Sequence, residues 1–343
     1  MTRITRVQIV LVGLVAGLMP GPSTTRPALA AQEVETQALV IDEWTVPWAA
    51  TRPRDPFVDA AGTVWFVGQV GDYVAALDPK DGTFRRYDLA PGTGPHNLIV
   101  DPAGTVWYAG NRTAHIGELD PESGDIVRHA MPVSAARDPH TLVFDGAGHI
   151  WFTVQQGNFV GKLNTETDEV SLVEVPTANS RPYGIVVAPD GVPWFVEFAS
   201  FKLGRIDPFS LELTEIELPR TGARPRRLAA TPDGRIWYVD HAGGFIGTIE
   251  PGPNTVREWP IPGGVGGRPY AMAGDDRGRL WFVETGPATN RLVGFDPDTE
   301  SFFSNTPIPS GGRSVRHMVF DPVRRALWFG TDANTVGRAV VPD

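Results

Sequence analysis

Two histidines of this chain share a setting. His96 follows Pro95 and His140 follows Pro139, and each opens a short apolar run. A neutral imidazole with an ordinary pKa of ~6.5 can accept a proton near neutral pH. Tyr183, Arg226 and Tyr270 open equivalent runs, as do Arg54 and Arg316. Just before these positions lie Arg52, Asp138, Arg181, Arg224 and Arg268. Gln69, Asn111, Gln155, Glu197, Asp240, Glu284 and Asp332 end the runs that follow. Imidazole, phenol, guanidinium and carboxylate brought together could move a proton and hold an anionic or carbonyl-rich small molecule. The same arginines and carboxylates could instead pair with one another and close the space between them. Three other histidines, His115, His129 and His149, fall elsewhere, and His241 follows Asp240 at the rim of the group.

What would bring these residues together is a repeat. Trp65, Trp107, Trp151, Trp194, Trp237, Trp281 and Trp328 stand 42, 44, 43, 43, 44 and 47 residues apart, each followed by Phe or Tyr. A unit of about 43 residues has the length of a four-stranded propeller blade. In one unit His96–Asp101, Thr105–Ala109, His115–Asp120 and Asp125–Pro132 read as strands, with turns at 102–104 and 121–124. Ala-Gly or Asp-Gly pairs recur between the first two strands, where Gly supplies the positive φ of a tight hairpin. The repeated Trp suits the wedge between neighbouring blades. After Trp328 the last unit has a third strand, Thr335–Val340, and no fourth. Residues 39–47 resemble the fourth strands at 255–262 and 170–176. The expected fold is therefore all-β, a seven-bladed β-propeller of four-stranded blades spanning 39–343, with the ring closed by the N-terminal strand. The start of the first strand and the end of the second lie at the same end of such a blade. This places the chemical residues around one mouth of the central channel, a common ligand site.

Residues 1–30 stand apart. Arg3 and Arg6 precede an apolar run from Val7 to Met19, and Ala28-Leu29-Ala30 offers a small-x-small cleavage site. This pattern predicts a secretory signal peptide, a short linker at 31–38 and a secreted or periplasmic protein. The run is shorter than the ~20 residues of a bilayer span, so no membrane attachment is expected after cleavage. The chain has no cysteine, so packing alone must stabilise it. Without the three leader arginines, 27 basic residues face 40 acidic ones, a net of −13. That balance disfavours nucleic acid as a partner, and a monomer is expected.

Units such as Arg181-Pro-Tyr-Gly-Ile, Asp190-Gly, Trp194-Phe-Val-Glu197 and Leu203-Gly-Arg-Ile206 resemble the repeat of the virginiamycin B lyase (streptogramin lyase) family. The framework matches over nearly the whole chain beyond the leader. The resemblance implies a seven-bladed propeller that opens the lactone of type B streptogramins by elimination, without water, using Mg²⁺. The family's site draws on three consecutive blades carrying Pro-His, then Glu-Pro-His with a Glu four residues after its Trp, then Pro-Tyr-Gly. Pro95-His96, Asp138-Pro139-His140 and Pro182-Tyr183-Gly184 follow that order. By this resemblance His140 would be the general base, His96 and Tyr183 would contact substrate, and Asp138 would hold the metal with Gln155. Here Asp replaces the family's first Glu, and Gln155 stands where the second carboxylate is expected. An amide in place of a carboxylate should weaken Mg²⁺.

Two further readings stand beside the lyase. A non-catalytic propeller could bind a small ligand, glycan or protein at a mouth lined by Arg226, Tyr270 and the other Arg and aromatic residues. A calcium-dependent lactone hydrolase could use Glu197, Asp240 and Glu284 from separate blades. Fold alone cannot choose between them.

Overall fold

The computed structural model describes residues 37–250 and 254–342. The leader expected at 1–30 lies outside the described residues, as does most of the linker expected at 31–38. Among the described residues no helix is long and apolar enough to cross a membrane.

The described chain forms seven four-stranded antiparallel sheets. The third blade shows the plan, with strands Pro139–Phe144, Ile150–Val154, Phe159–Leu163 and Val170–Glu174 from the inside outward. Its first turn is built by Asp145. One carboxylate oxygen accepts the amides of Ala147 and His149, and the other accepts Trp151 Nε1 at 3.1 Å. Gly148, at φ 87°, completes the turn in a conformation costly for other residues. The same tie joins Asp59 to Trp65, Asp101 to Trp107 and Asp275 to Trp281. Each Trp is thereby fixed in rotamer and can bury its ring against the next blade. Trp107 packs with Leu142 and Phe152, and Trp237 with Met272 and Phe282. The Gly of the Leu-Gly or Val-Gly pair on the third strand has a steric cause. A Cβ on Gly161 would stand 2.2 Å from Phe152 Cζ.

Ring closure follows the expected plan. The last sheet combines Val315–Asp321, Ala326–Thr331 and Thr335–Val340 with the N-terminal strand Ile41–Thr45. Ile41 pairs with Ala339 and Thr45 with Thr335. Trp44 stacks on Trp328 with ring centroids 5.5 Å apart. Glu43 accepts bonds from Ser310 and Thr335.

One local feature governs the channel. The inner strands carry a register shift near their start, between Pro139 and Leu142 in the third blade, and the other six blades have its counterpart. A bulge leaves residues outside the strict in-and-out alternation of a strand. His140 and Thr141 are therefore both buried at the ring centre.

Removing residues 1–47 deletes the closing strand and its Trp44 contact. The expected cost is at least about 3 kcal/mol, the loss of one packed Trp. Association through the freed Thr335–Val340 edge should follow. Calorimetry and light scattering read both effects, and an unchanged melting temperature would show that closure contributes nothing.

Candidate functional site

At the mouth where the inner strands begin, five of the expected residues meet. The His96 and His140 rings lie 3.5 Å apart by centroid, and the Tyr183 ring lies 4.1 Å from His140. The Tyr183 hydroxyl contacts that of Tyr270 from two blades away. The Arg226 guanidinium lies 3.9 Å from the centroid of the Tyr270 ring and 4.5 Å from that of Phe198. It also donates from Nη1 to His241 Nε2 at 3.1 Å, so His241 Nδ1 carries the proton and donates to the Pro269 carbonyl. His96, His140, Tyr183 and Tyr270 are each less than a tenth exposed. The phenol pair and Arg226 pack around the buried imidazoles.

Behind this layer lies a second one that the spacing of the repeat does not reveal. Asp55, Asn97, Thr141, Arg227 and His317 occupy the residue after five of the seven aligned positions. Asp55 accepts Arg54 Nε at 2.8 Å, Asn97 Nδ2 at 3.2 Å and Arg227 Nη2 at 3.2 Å. Arg227 also donates to the Arg316 carbonyl and to Thr141 Oγ1 at 3.0 Å. Thr141 Oγ1 lies 2.8 Å from His140 Nδ1. A guanidinium only donates, so the Thr141 oxygen accepts from Arg227, and its one proton finds an acceptor in His140 Nδ1 when that nitrogen is the unprotonated one. Neutral His140 then carries its proton on Nε2. His96 Nδ1 is buried without a partner. Gly184 leaves room for this layer, since a Cβ there would stand 2.9 Å from the Arg226 carbonyl oxygen and 3.1 Å from Arg227 Cα. A sequence signal for the second layer exists. Polar residues recur directly after the aligned positions, inside runs that are otherwise apolar.

The electrostatics follow from three buried or half-buried guanidiniums. Burial alone would raise the Asp55 carboxyl, but Arg54 and Arg227 outweigh it and hold it well below the usual carboxylate range. Burial, with Arg54 and Arg227 beside them, pushes His96 and His140 well below an ordinary imidazole, so both are neutral. Burial and Arg226 take His241 down to about 4. Burial would raise Tyr183, yet Arg226, Arg54 and Arg227 bring it below an ordinary phenol. Burial and its Tyr183 neighbour raise Tyr270 instead.

Asp138 and Gln155 stand apart from this cluster in their bonding. The Asp138 oxygens accept the backbone amides of Gln156 at 2.8 Å and Gly157 at 3.0 Å, so the carboxylate braces the loop that follows Val154. Gln155 is half-buried at that loop and brings no charge. Mg²⁺ seeks several hard oxygen ligands, carboxylates among them. Here one carboxylate is spent on amides, the other ligand is neutral, and the charged groups around His140 are mainly cations. Among the described residues no group of three or more His, Cys, Asp or Glu is arranged to hold a metal. This donor set does not fit the ion. Glu197, Asp240 and Glu284 are likewise tied within their own blades, to Ser200 Oγ, to the amides of Arg224 and Ala242, and to the amide of Gly263. At the other end of the channel a cavity of about 600 Å³ is walled by residues such as Ile99, Val143, Val187 and Met272.

The model of the virginiamycin B lyase family matches residues 33–263. A streptogramin B lyase structure superposes with a TM-score of 0.79 at 24% identity, covering 88% of this chain and 97% of that one. Virginiamycin B lyase from Staphylococcus aureus gives 0.80 at 24% identity, with coverages of 89% and 100%. A catalytically inactive histidine-to-alanine variant of the Staphylococcus aureus enzyme, with quinupristin, gives the same values. No curated protein matches the chain.

Two substitutions test the charge layout. Asp55→Asn leaves Arg54 and Arg227 uncompensated and should cost about 3–5 kcal/mol in chemical denaturation. Because folding depresses the Asp55 pKa, its contribution is complete above the ordinary carboxylate range and is lost only as pH falls further. Glu197 behaves oppositely. Burial raises it from 4.5 to about 7, so it favours the fold at low pH and loses that contribution as pH rises through about 7. Glu197→Gln should flatten this slope and raise the melting temperature at pH above that value. An unaltered pH profile in Glu197→Gln would refute the assignment.

Proposed function

Because the chain belongs to the virginiamycin B lyase family, we propose that it opens a cyclic ester by carbon–oxygen elimination at the His96–His140 mouth. The observation that supports this reading is the close, tilted pair of neutral, buried imidazoles, with guanidiniums around it. A neutral imidazole in a cationic setting can remove a proton alpha to an ester carbonyl, and the surrounding charge favours the enolate that forms.

The resemblance in sequence assigns the base to His140. The hydrogen-bond order argues for a division of labour within the pair. His96 Nδ1, which has no partner, takes the alpha proton. His140, held as the Nε2–H form by Thr141 and Arg227, donates to the carbonyl oxygen. The electron pair of the broken C–H bond forms the alkene as the ester C–O bond breaks. The ring oxygen leaves as a carboxylate, and the proton on His96 passes to solvent. Thr141 is a positioning residue in this scheme, since it acts through His140. Tyr183 packs against His140, and we assign it with Tyr270 and Arg226 to the substrate. Mg²⁺ enters no step, since Asp138 is bonded to backbone amides and Gln155 is neutral. The leader pattern at 1–30 supports a protein that works outside the cytoplasm.

The closed mouth favours a second reading, a propeller that binds without catalysis. Turnover separates the two. With quinupristin as substrate, the expected product is the ring-opened alkene carrying no oxygen from labelled water. His140→Ala and His96→Ala should each slow it about 10²–10⁴-fold. Thr141→Val should lower kcat more than KM, while Thr141→Ser restores it. Absence of turnover by the unaltered protein would leave only the binding reading, and full activity in both histidine variants would remove the two imidazoles from the chemistry.

A further inference from the structure

The charge at the channel mouth does not balance. Arg54, Arg226 and Arg227 converge on the rings of Tyr183 and Tyr270. One carboxylate, Asp55, answers two of them, Arg54 at 2.8 Å and Arg227 at 3.2 Å. Arg226 makes no ion pair among the described residues, and its one polar side-chain partner is the neutral His241. Other arginines of this face are matched, such as Arg316 by Asp332 and Arg220 by Asp240 and Glu258. Arg226 Nε and Arg54 Nη2 are both buried and donate to nothing. Two positive charges are thus left over in a desolvated cluster with guanidinium donors to spare. Buried charges persist where partners meet them, and leaving one unmet is costly.

We propose that this mouth is an anion site, in which Arg226, backed by Arg54 and Arg227, takes a carboxylate. A guanidinium matches that group in shape as well as charge, with paired N–H donors. The lyase reading gives the anion its identity, because elimination from a cyclic ester releases a carboxylate at the place where these donors gather. The site itself rests on charge and bonding alone. It also accounts for the two departures at Asp138 and Gln155. The positive charge that a divalent cation would bring is supplied by the protein, and a cation placed beside it would be repelled. Arg226 is half-buried and can turn outward to admit the ligand, while Arg54 and Arg227 stay fixed on Asp55.

The test is calorimetric titration of the full chain with benzoate, using benzamide as the neutral comparator, in EDTA and again with Mg²⁺. Benzoate should bind at least about 10-fold more tightly than benzamide, the worth of one charge-assisted hydrogen bond, and equally with or without the metal. Arg226→Gln should weaken benzoate by a similar factor, and Arg226→Lys should fall between the two while confirming that the fold tolerates change there. Three results would overturn the proposal. In two of them, benzoate and benzamide bind alike, or benzoate binds only with Mg²⁺. Alternatively, a tyrosinate absorbance at neutral pH, lost in Tyr183→Phe, would show that the protein supplies its own counter-anion. The titration contains no ester, so carboxylate binding survives the failure of the lyase reading. Lactone turnover without benzoate binding would keep the lyase and remove the anion site.

Discussion

One carboxylate holds the centre of this ring. Asp55 sits on the first blade and accepts bonds from Arg54 of that blade, Asn97 of the second and Arg227 of the fifth. Arg227 carries the connection onward to Thr141 of the third blade and to the Arg316 carbonyl of the closing blade. The Asn97 side-chain oxygen also accepts the Leu142 amide. Five blades are thereby tied across a channel that sheet hydrogen bonds alone do not span. A buried pair of this kind often contributes little net stability against an apolar replacement, but it fixes which groups face which. Specification is the need here, because seven similar blades could otherwise settle in more than one relative rotation.

The same cluster sets the chemistry above it. Burial first, and then the guanidiniums that meet Asp55, lower both imidazoles, and Arg226 together with those guanidiniums brings Tyr183 below an ordinary phenol. Structure and reactivity therefore share a cause. Neutral histidines at the mouth are a by-product of the residues that pin the blades, and the order Arg227, Thr141, His140 passes from a structural bond to a tautomer in two steps. Removing charge from the centre to stabilise the ring would alter the site as well.

Much of the fold was legible in the chain because its signal is repeated. A Trp every 43 residues or so, with an Asp or Thr six residues before it in most blades to fix its ring, is written often enough to be read without any structure. Ring closure was legible for a related reason, since residues 39–47 look like a fourth strand where the last blade lacks one. The mouth was half legible. Alternation in strands identified the layer of His96, His140, Tyr183, Arg226 and Tyr270 and missed the layer beneath. The bulge suspends alternation at the residue where Asp55, Asn97, Thr141, Arg227 and His317 enter, and period two has no place for two inward neighbours. His317 is hidden by the same effect, although it lies half-buried beside Arg227, Asp55 and Arg54 and is taken down to about 3 by desolvation first and Arg227 next.

A repeat also provides an internal control on single-residue resemblance. Asp138 matches a metal-ligand position when its motif is compared alone. Within the ring its bonds are ordinary. Asp72 accepts the amides of Gly92 and Gly94, Asn158 accepts that of Ser180, Asp240 those of Arg224 and Ala242, and Glu284 that of Gly263. In blade after blade an acid or amide near the end of the second strand, or an acid before the first, is consumed in bracing a connecting loop. A carboxylate at such a place has a structural reason to exist in every blade, so its presence in one blade is weak evidence for a ligand. The His96–His140 ring pair has no counterpart elsewhere among the described residues, where the equivalent positions hold Arg or Tyr. Departure from the repeat, rather than agreement with it, is what marks a residue of this ring as belonging to the site.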